Sequence, residues 1–546
     1  MTVQVDGTKG INKVQDGCVT SDSLANSIRL PGAPTAATAP AGTNTEQIAT
    51  TAFAAAADAA LYSQIDAKKA DKSYIDSLNA QPITYVTKSG HNSFGMLIGG
   101  KLYTTAGSTA GNHANATTGR FLSSQLGQFG LDNLKLVAFP ENTPIQKVGG
   151  FVHGFAYALL TNGNLYTWGA NTYGQCGLGH TNQVATPTLA ATGVVDVYDH
   201  PTNSTFEVNS NRLFIKKSDG YIYGAGYNAN GALGLGDTNN RVTFTQITAL
   251  GTNITSLWNM GCGVGCTVAQ KSDYSIWVAG WNGYGQLGNG NTNTQLSFID
   301  VTAAWGGGAG KSLKKVIGGF SWADGTNPAT LNSSLGMLLD DGTNTVFRVC
   351  GINTSAQLGN GSITGNATIP IAPIVGTGRI VDIAGVGSPA TIQVLKDDGT
   401  LYAFGHNWEG EAGAGTSGSD LATPTIVASG VTALLADGIN SHYYGWYAQS
   451  AILKASGLYM CGFNDNGYCG LGHYATPITT FSKTLLPADF TVKLLGSFVT
   501  TNNGRVYVAV STDNRVYAWG YNGQNGLQAV NGTNIPTPAN VIIPRG

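Results

Sequence analysis

Adjacent carboxylates stand at Asp340-Asp341 and Asp397-Asp398. Two carboxyl groups converging on one groove can divide general acid and general base work between them. Each pair, however, sits at the tip of a strand-turn-strand segment, LLDDGTNTVF and VLKDDGTLYAF, where Asp followed by Gly makes a tight turn. Turn formation is therefore the expected role. His180 and His473 occupy one and the same place in a repeated phrase, where other copies carry Asp237, Asn291, Ser362 or Thr416. They read as loop residues, with metal binding as the alternative. Cys262 and Cys266 have the spacing of half a zinc site, but no second half of comparable spacing exists, and a structural role is preferred. The patterns of a nucleophile elbow, a zinc protease helix and a phosphate-binding loop are absent. No catalytic residue, no metal site and no cofactor is expected, and the chain is not expected to be an enzyme.

What remains is recognition by surface. Tyr173, Tyr284, Trp408 and Glu409 lie at positions of the repeated phrase that change freely from copy to copy, as exposed loop residues do. A further cluster, His442-Tyr443-Tyr444-Gly445-Trp446-Tyr447, adds Tyr443, Tyr444 and Trp446 to the candidates, and the longer insertions 108–144 and 291–330 join them. Aromatic side chains with few rotatable bonds make good contacts to sugars or to another protein. Packing between repeats is an equal alternative for each of them.

The elements that must position these residues follow from a period. A glycine ending an aromatic-rich strand recurs at Gly169, Gly226, Gly280, Gly351, Gly405, Gly462 and Gly520, at intervals of 54 to 71 residues. Two residues later stands Asn171, Asn228, Asn282, Asn353, Asn407, Asn464 or Asn522, and seven later a small apolar residue such as Cys176 or Leu287. Upstream of each glycine lies a hairpin, with Asn162-Gly163, Asp219-Gly220 or Asp398-Gly399 accepting the positive φ of the turn. A short apolar segment precedes each hairpin and a Pro-containing one follows the phrase, as in ATPTLA at 185–190. Each unit thus supplies four strands, the content of a propeller blade. The expected fold is an all-β propeller over residues 83–546. It has seven clear repeats and a divergent first unit, GHNSFGMLIGGKLYTTAG at 90–107, which makes the count seven or eight.

Composition sets the outer bounds. The net charge is −2, only 11% of residues are charged, and Lys and Arg are scattered, so a sequence-independent grip on nucleic acid is not expected. Glycine, 76 of 546 residues, signals either disorder or dense turns, and the 42% hydrophobic content decides for a folded chain. No export signal and no apolar run long enough to cross a membrane is present. Seven cysteines without a regular pattern argue against a disulfide framework, so synthesis in a reducing cytoplasm is expected.

Before residue 83 the text changes. RLPGAPTAATAPAGTN at 29–44 is a Pro/Ala-rich linker. Thr43 with Glu46 forms a capping box for an Ala-rich helix, in which Ile48, Ala52, Ala55, Ala59 and Tyr62 have the spacing of a heptad seam. The expected domains are an attachment segment and linker at 1–44, a helical stalk at 45–82 that packs against copies of itself, and the propeller head at 83–546.

The glycine phrase, at Trp168-Gly169, Asn171, Gly174-Gln175 and again at Gly280, Asn282 and Gly285-Gln286-Leu287-Gly288, resembles the repeat of the regulator of chromosome condensation family. That resemblance implies a β-propeller, usually of seven blades. The stretches DGTKGINKVQDG, NTEQIATTAFA and KKADKSYIDSLNAQ resemble N-terminal attachment segments of tailed-bacteriophage tail fibres. This second resemblance implies a homotrimeric virion protein whose N-terminus docks on tail or baseplate proteins. Its head would bind a host pilus, lipopolysaccharide or capsule through propeller loops, without chemistry. The rival expectations are a glycan depolymerase and a propeller nucleotide-exchange or chromatin factor.

Overall fold

Short strands, many of them joined by turns of Asn-Gly and Asp-Gly type, pair with their neighbours in sequence and build eight antiparallel sheets. The computed structural model describes residues 82–87, 90–91, 95–105, 134–152, 155–198, 212–260, 265–318, 334–386, 391–435, 448–499, 504–521 and 534–540. Residues 1–71 and 72–546 are separate units, and every described residue belongs to the second. The attachment segment, linker and stalk expected before residue 82, with the trimer that rests on them, therefore lie outside the described residues. So do Tyr443, Tyr444 and Trp446.

Blade 1 consists of Ile83–Val86, Gly95–Ile98, Lys101–Thr105 and Leu134–Leu136. Blade 2 runs through Ile145–Val152, Phe155–Leu160, Leu165–Gly169 and Val184–Ala191. Blades 3 to 7 repeat that meander from Val194, Ile254, Ser312, Ile380 and Val431, and blade 8 ends with Ile535–Asn540. The open count of seven or eight thus resolves to eight. The divergent unit at 90–107 contributes a true hairpin, with Met96 paired to Tyr103, because main-chain pairing needs only the strands and not the glycine phrase.

First strands of blades 3 to 7 touch one another in succession, which places them innermost. Second strands are deeply buried: Phe155–Leu160 and Thr391–Lys396 are buried at every position, whereas in the fourth strand Val184–Ala191 only Val184 is. The core consequently lies between blades. Ala384, Val386 and Leu395 of blade 6 meet Val431, Leu434 and Ile452 of blade 7. The ring closes in the same way, with Ile83, Met96 and Ile98 of blade 1 packed on Val506, Val508 and Val510 of blade 8. Gly90–His91 adds a parallel bridge to Phe498 and Val499, and Lys493 Nζ donates to the Ile83 carbonyl at 2.9 Å.

The glycine phrase joins strands three and four of its blade. Its invariant Asn is a buried three-way clamp: Asn282 Oδ1 accepts the Leu287 N–H at 2.9 Å, while Nδ2 donates to the Asn291 carbonyl at 2.9 Å and to Asn289 Oδ1 at 3.0 Å. The same clamp on the N–H five residues on and the carbonyl nine residues on recurs at Asn171, Asn228, Asn353, Asn407 and Asn464. The clamped loop then reaches the next blade, since Gly179, Gly236, Gly290, Gly361, Gly415 and Gly472 each donate a backbone N–H to its fourth strand. The phrase is a joint between blades, as its fixed letters suggest.

Candidate partner-binding face

In a four-stranded meander the connection between strands one and two shares a face with the connection between strands three and four. The six described glycine phrases therefore lie on one face of the ring, and the described hairpin turns lie on the other. The hairpin face holds the aspartate pairs. Asp340 Oδ1 accepts the Gly342 N–H, Asp341 Oδ1 accepts those of Thr343 and Asn344, and Asp398 Oδ1 accepts that of Thr400. These backbone bonds hold all three carboxyl groups below their usual range, the opposite of what a general acid requires. Four hairpins also lay a lysine on an aromatic ring: Lys217 on Tyr223, Lys271 on Trp277, Lys396 on Tyr402 and Lys454 on Tyr459.

Histidine and cysteine candidates are structural here. His180 approaches Asn171 Nδ2 at 3.3 Å, and His473 Nδ1 accepts the Ala475 N–H at 3.2 Å, both as parts of the clamped loop. Cys176, Cys266, Cys350, Cys461 and Cys469 are buried free thiols. Burial pushes the first three up to about 12. Cys262 lies outside the described residues. Among the described residues no three of His, Cys, Asp and Glu come together as a metal site.

The aromatic candidates are distributed rather than gathered. Tyr173, in blade 2, stands edge-on to Tyr227 of blade 3 with ring centres 5.0 Å apart. Tyr284 stands edge-on to Trp281 of its own blade 4 at 5.2 Å. Both are half-buried packing residues, one between blades and one within a phrase. The insertion at 291–330 also turns inward, where it is described. Its Trp305 is fully buried, and Nε1 donates to the Leu287 carbonyl at 3.0 Å.

Blade 6 differs. Trp408 is 50% exposed, lies parallel to the His406 imidazole within 10° at a centroid distance of 6.4 Å, and donates Nε1–H to Asp420 Oδ1 at 3.1 Å. His406 Nδ1 meets Glu411 Oε1 at 2.5 Å, and Glu411 Oε2 accepts the Glu409 N–H at 2.9 Å. Burial raises the carboxyl groups of Glu409, Asp420 and Asp465 above their usual range, and the charge of Glu411 raises Glu409 further. Burial opposes the charge of His406, yet Glu411, with Asp420 and Glu409, outweighs it and holds the imidazole above its ordinary value. Sequence reasoning found Trp408 and Glu409 here but not His406, Glu411, Asp420 or Asp465. A signal was present: Glu411 stands where other copies carry Gln175, Gln286 and Gln357.

Residues 162–197 match the model of the regulator of chromosome condensation (RCC1) repeat. The chain is similar to the ultraviolet-B receptor UVR8 of Arabidopsis thaliana, 26% identical over 306 residues, which cover 55% of this chain and 62% of that one. It is also similar to the X-linked retinitis pigmentosa GTPase regulator of Mus musculus, 31% identical over 132 residues, 24% of this chain and 13% of the relative. A third relative is the secretion-regulating guanine nucleotide exchange factor of Bos taurus, 30% identical over 131 residues, 24% of this chain and 27% of the relative. The chain thus spans less than two thirds of each relative. An RCC1-like propeller is upheld. The tail-fibre function, with its pilus, lipopolysaccharide or capsule receptor and its tail or baseplate partners, is overturned by these relatives, which are named as an ultraviolet-B receptor, a GTPase regulator and a guanine nucleotide exchange factor. The expectation rested on three short N-terminal motifs, and a propeller fold by itself carries many unrelated functions.

Proposed function

We propose that the chain regulates a partner protein by binding it across the glycine-phrase face, in the manner of a guanine nucleotide exchange factor for a small GTPase. The observation that carries this reading is the RCC1 repeat at 162–197 together with two relatives whose names describe GTPase regulation and nucleotide exchange. Exchange needs no acid, base or nucleophile. A protein that binds the nucleotide-free GTPase more tightly than the loaded one drives release by that difference in affinity alone. Such a mechanism suits a ring whose aspartate pairs are engaged in turns and whose exposed Trp408 stands on a rigid joint.

The test is release of a fluorescent guanine nucleotide from a panel of small GTPases. Acceleration of at least about ten-fold by the full chain, which corresponds to about 1.4 kcal/mol of differential binding, supports the reading. A panel that shows neither acceleration nor a complex with the nucleotide-free form would withdraw it.

A further inference from the structure

We infer that the pocket between blades 4 and 5, at the outer rim of the ring, receives a segment of a partner protein that carries an aliphatic or aromatic side chain beside a lysine or arginine. This inference stands apart from the exchange-factor reading. The pocket has a volume of about 660 Å³, within the range of about 300–1,000 Å³ usual for ligand sites. It is lined by residues 288–290 of the blade 4 phrase, by residues 300–304 and Gly307 at and after the end of the blade 4 fourth strand, and by Ile369 of the blade 5 fourth strand.

Two departures from the repeat build this pocket. In each fourth strand the residue paired with the strand-ending glycine is followed two places later by Thr186, Thr243, Ser297, Thr423, Thr480 or Thr537, but in blade 5 by Ile369. An outer-edge position that six blades give to a hydroxyl thus holds a branched apolar side chain, with 62% of its surface in solvent. The second departure is the connection 301–311, the longest from a fourth strand to the next first strand among the described residues. It folds back on the blade 4 phrase and is fixed there, with the buried Trp305 donating Nε1–H to the Leu287 carbonyl, the Gly307 N–H donating to the Thr302 carbonyl at 2.8 Å, and Lys311 Nζ donating to the Gly306 carbonyl at 2.9 Å. A wall held in this way loses little freedom when something binds against it.

The lining sets the chemistry of the occupant. Val301, Ala303, Ala304 and Ile369 make it apolar, and Asp300 is its only charged residue. Asp300 Oδ1 accepts the Thr302 N–H at 2.8 Å and the Thr302 hydroxyl at 2.5 Å, which orients the carboxylate, and Asp300 has no ion-pair partner among the described residues. An apolar side chain covers Ile369, and a guanidinium or ammonium group next to it in the chain complements Asp300, whereas an acidic neighbour meets repulsion. Gly290, Asp300, Ala303 and Ile369 are all exposed, so the site is open and suits a side chain presented from another surface rather than an enclosed molecule.

The test is selection of a random heptapeptide phage library on the full chain, with counter-selection on Ile369→Thr, which matches the other blades. The peptides retained share an aliphatic or aromatic residue adjacent to Lys or Arg. In calorimetric titration such a peptide binds the parent at least about ten-fold more tightly than Ile369→Thr. Asp300→Asn keeps an acceptor for Thr302 and removes the charge, and it weakens the peptide by about five-fold. Citrulline in place of the arginine costs affinity for the parent but not for Asp300→Asn. Both variants alter exposed side chains, and urea midpoints equal to the parent's show that lost binding is not lost folding. Failure to select any peptide that tells the parent from Ile369→Thr overturns the proposal. So does a shared sequence without a basic residue, or equal affinity for the parent and Asp300→Asn.

Discussion

Glu411, 1% exposed, points Oε1 at His406 Nδ1 across 2.5 Å, and the two residues together replace a single glutamine. In blade 4 the corresponding Gln286 accepts the Tyr284 N–H at 3.2 Å and donates Nε2 to the Trp281 carbonyl at 2.8 Å. Glu411 keeps the first bond, to Glu409 N–H, but has no N–H for the second. Its spare oxygen is a buried acceptor, and the imidazole supplies the donor.

Removing that donor leaves a buried carboxylate with only the Glu409 N–H and no countercharge at Oε1, so His406→Ala is expected to lower stability by about 3 kcal/mol. Glu411→Gln restores the phrase as other blades have it and is expected to stay within about 1 kcal/mol of the parent. The pair also makes stability depend on pH. Because the imidazole is raised above its ordinary value of about 6.5, its contribution is complete below that value and is lost as pH rises through the folded one. Urea midpoints measured from mildly acid to mildly alkaline pH should fall for the parent relative to Glu411→Gln. Parallel profiles would show that the pair carries no such linkage.

Gly285 and Gly290 separate two costs of replacing a phrase glycine. Both have positive φ, +76° and +84°. A Cβ on Gly290 meets nothing within 4 Å, whereas one on Gly285 would lie 2.6 Å from Thr368 Cγ2 and 2.7 Å from Thr368 Cα of the next blade. Gly290→Ala should cost about 1 kcal/mol, for the left-handed backbone only. Gly285→Ala should cost about 2 kcal/mol more, since the joint must open. Equal losses in denaturant midpoint would mean that the joint is looser than the contact distances show.

Asn282→Ala removes three bonds from a site that is fully buried, leaving the Leu287 N–H and the Asn291 carbonyl without their partner. The expected loss is about 3 kcal/mol. Asn282→Asp should be no better, because a carboxylate cannot donate to the Asn291 carbonyl. Full recovery in the aspartate variant would refute the clamp as a donor.

Gln393 gives the opposite sign. It is 0% exposed in the second strand of blade 6, and among the described residues neither end of its amide has a hydrogen-bond partner. Gln393→Leu relieves a desolvated amide while keeping the volume, and is expected to be neutral or stabilising by up to about 2 kcal/mol. A clear loss in thermal or urea midpoint would contradict it.

Much of this was legible in one sequence because a repeat supplies its own controls. Letters that a joint requires recur: Asn282 in every copy, because a buried amide clamp needs both a donor and an acceptor, and Gly285 in most, with Ala356 of blade 5 holding the same left-handed backbone at φ +59°. The aspartate pairs betrayed their turns by recurring at the hairpin. Trp408 and Glu409 stood out by varying at fixed positions. The same test gave Tyr173 and Tyr284 equal standing with Trp408, although they bury themselves on neighbouring rings.

The sequence by itself determined the blade: period, hairpin turns, clamp residues and buried second strands are local features, set by side-chain alternation and backbone sterics within some sixty residues. Only the tertiary structure decided that the divergent first unit is a full eighth blade, because that depends on Ile83 and Met96 finding Val506 and Val508 some four hundred residues away. It alone also set each clamped phrase against the next blade, as where Gly285 meets Thr368, since that close approach is a property of two blades in contact and not of either segment.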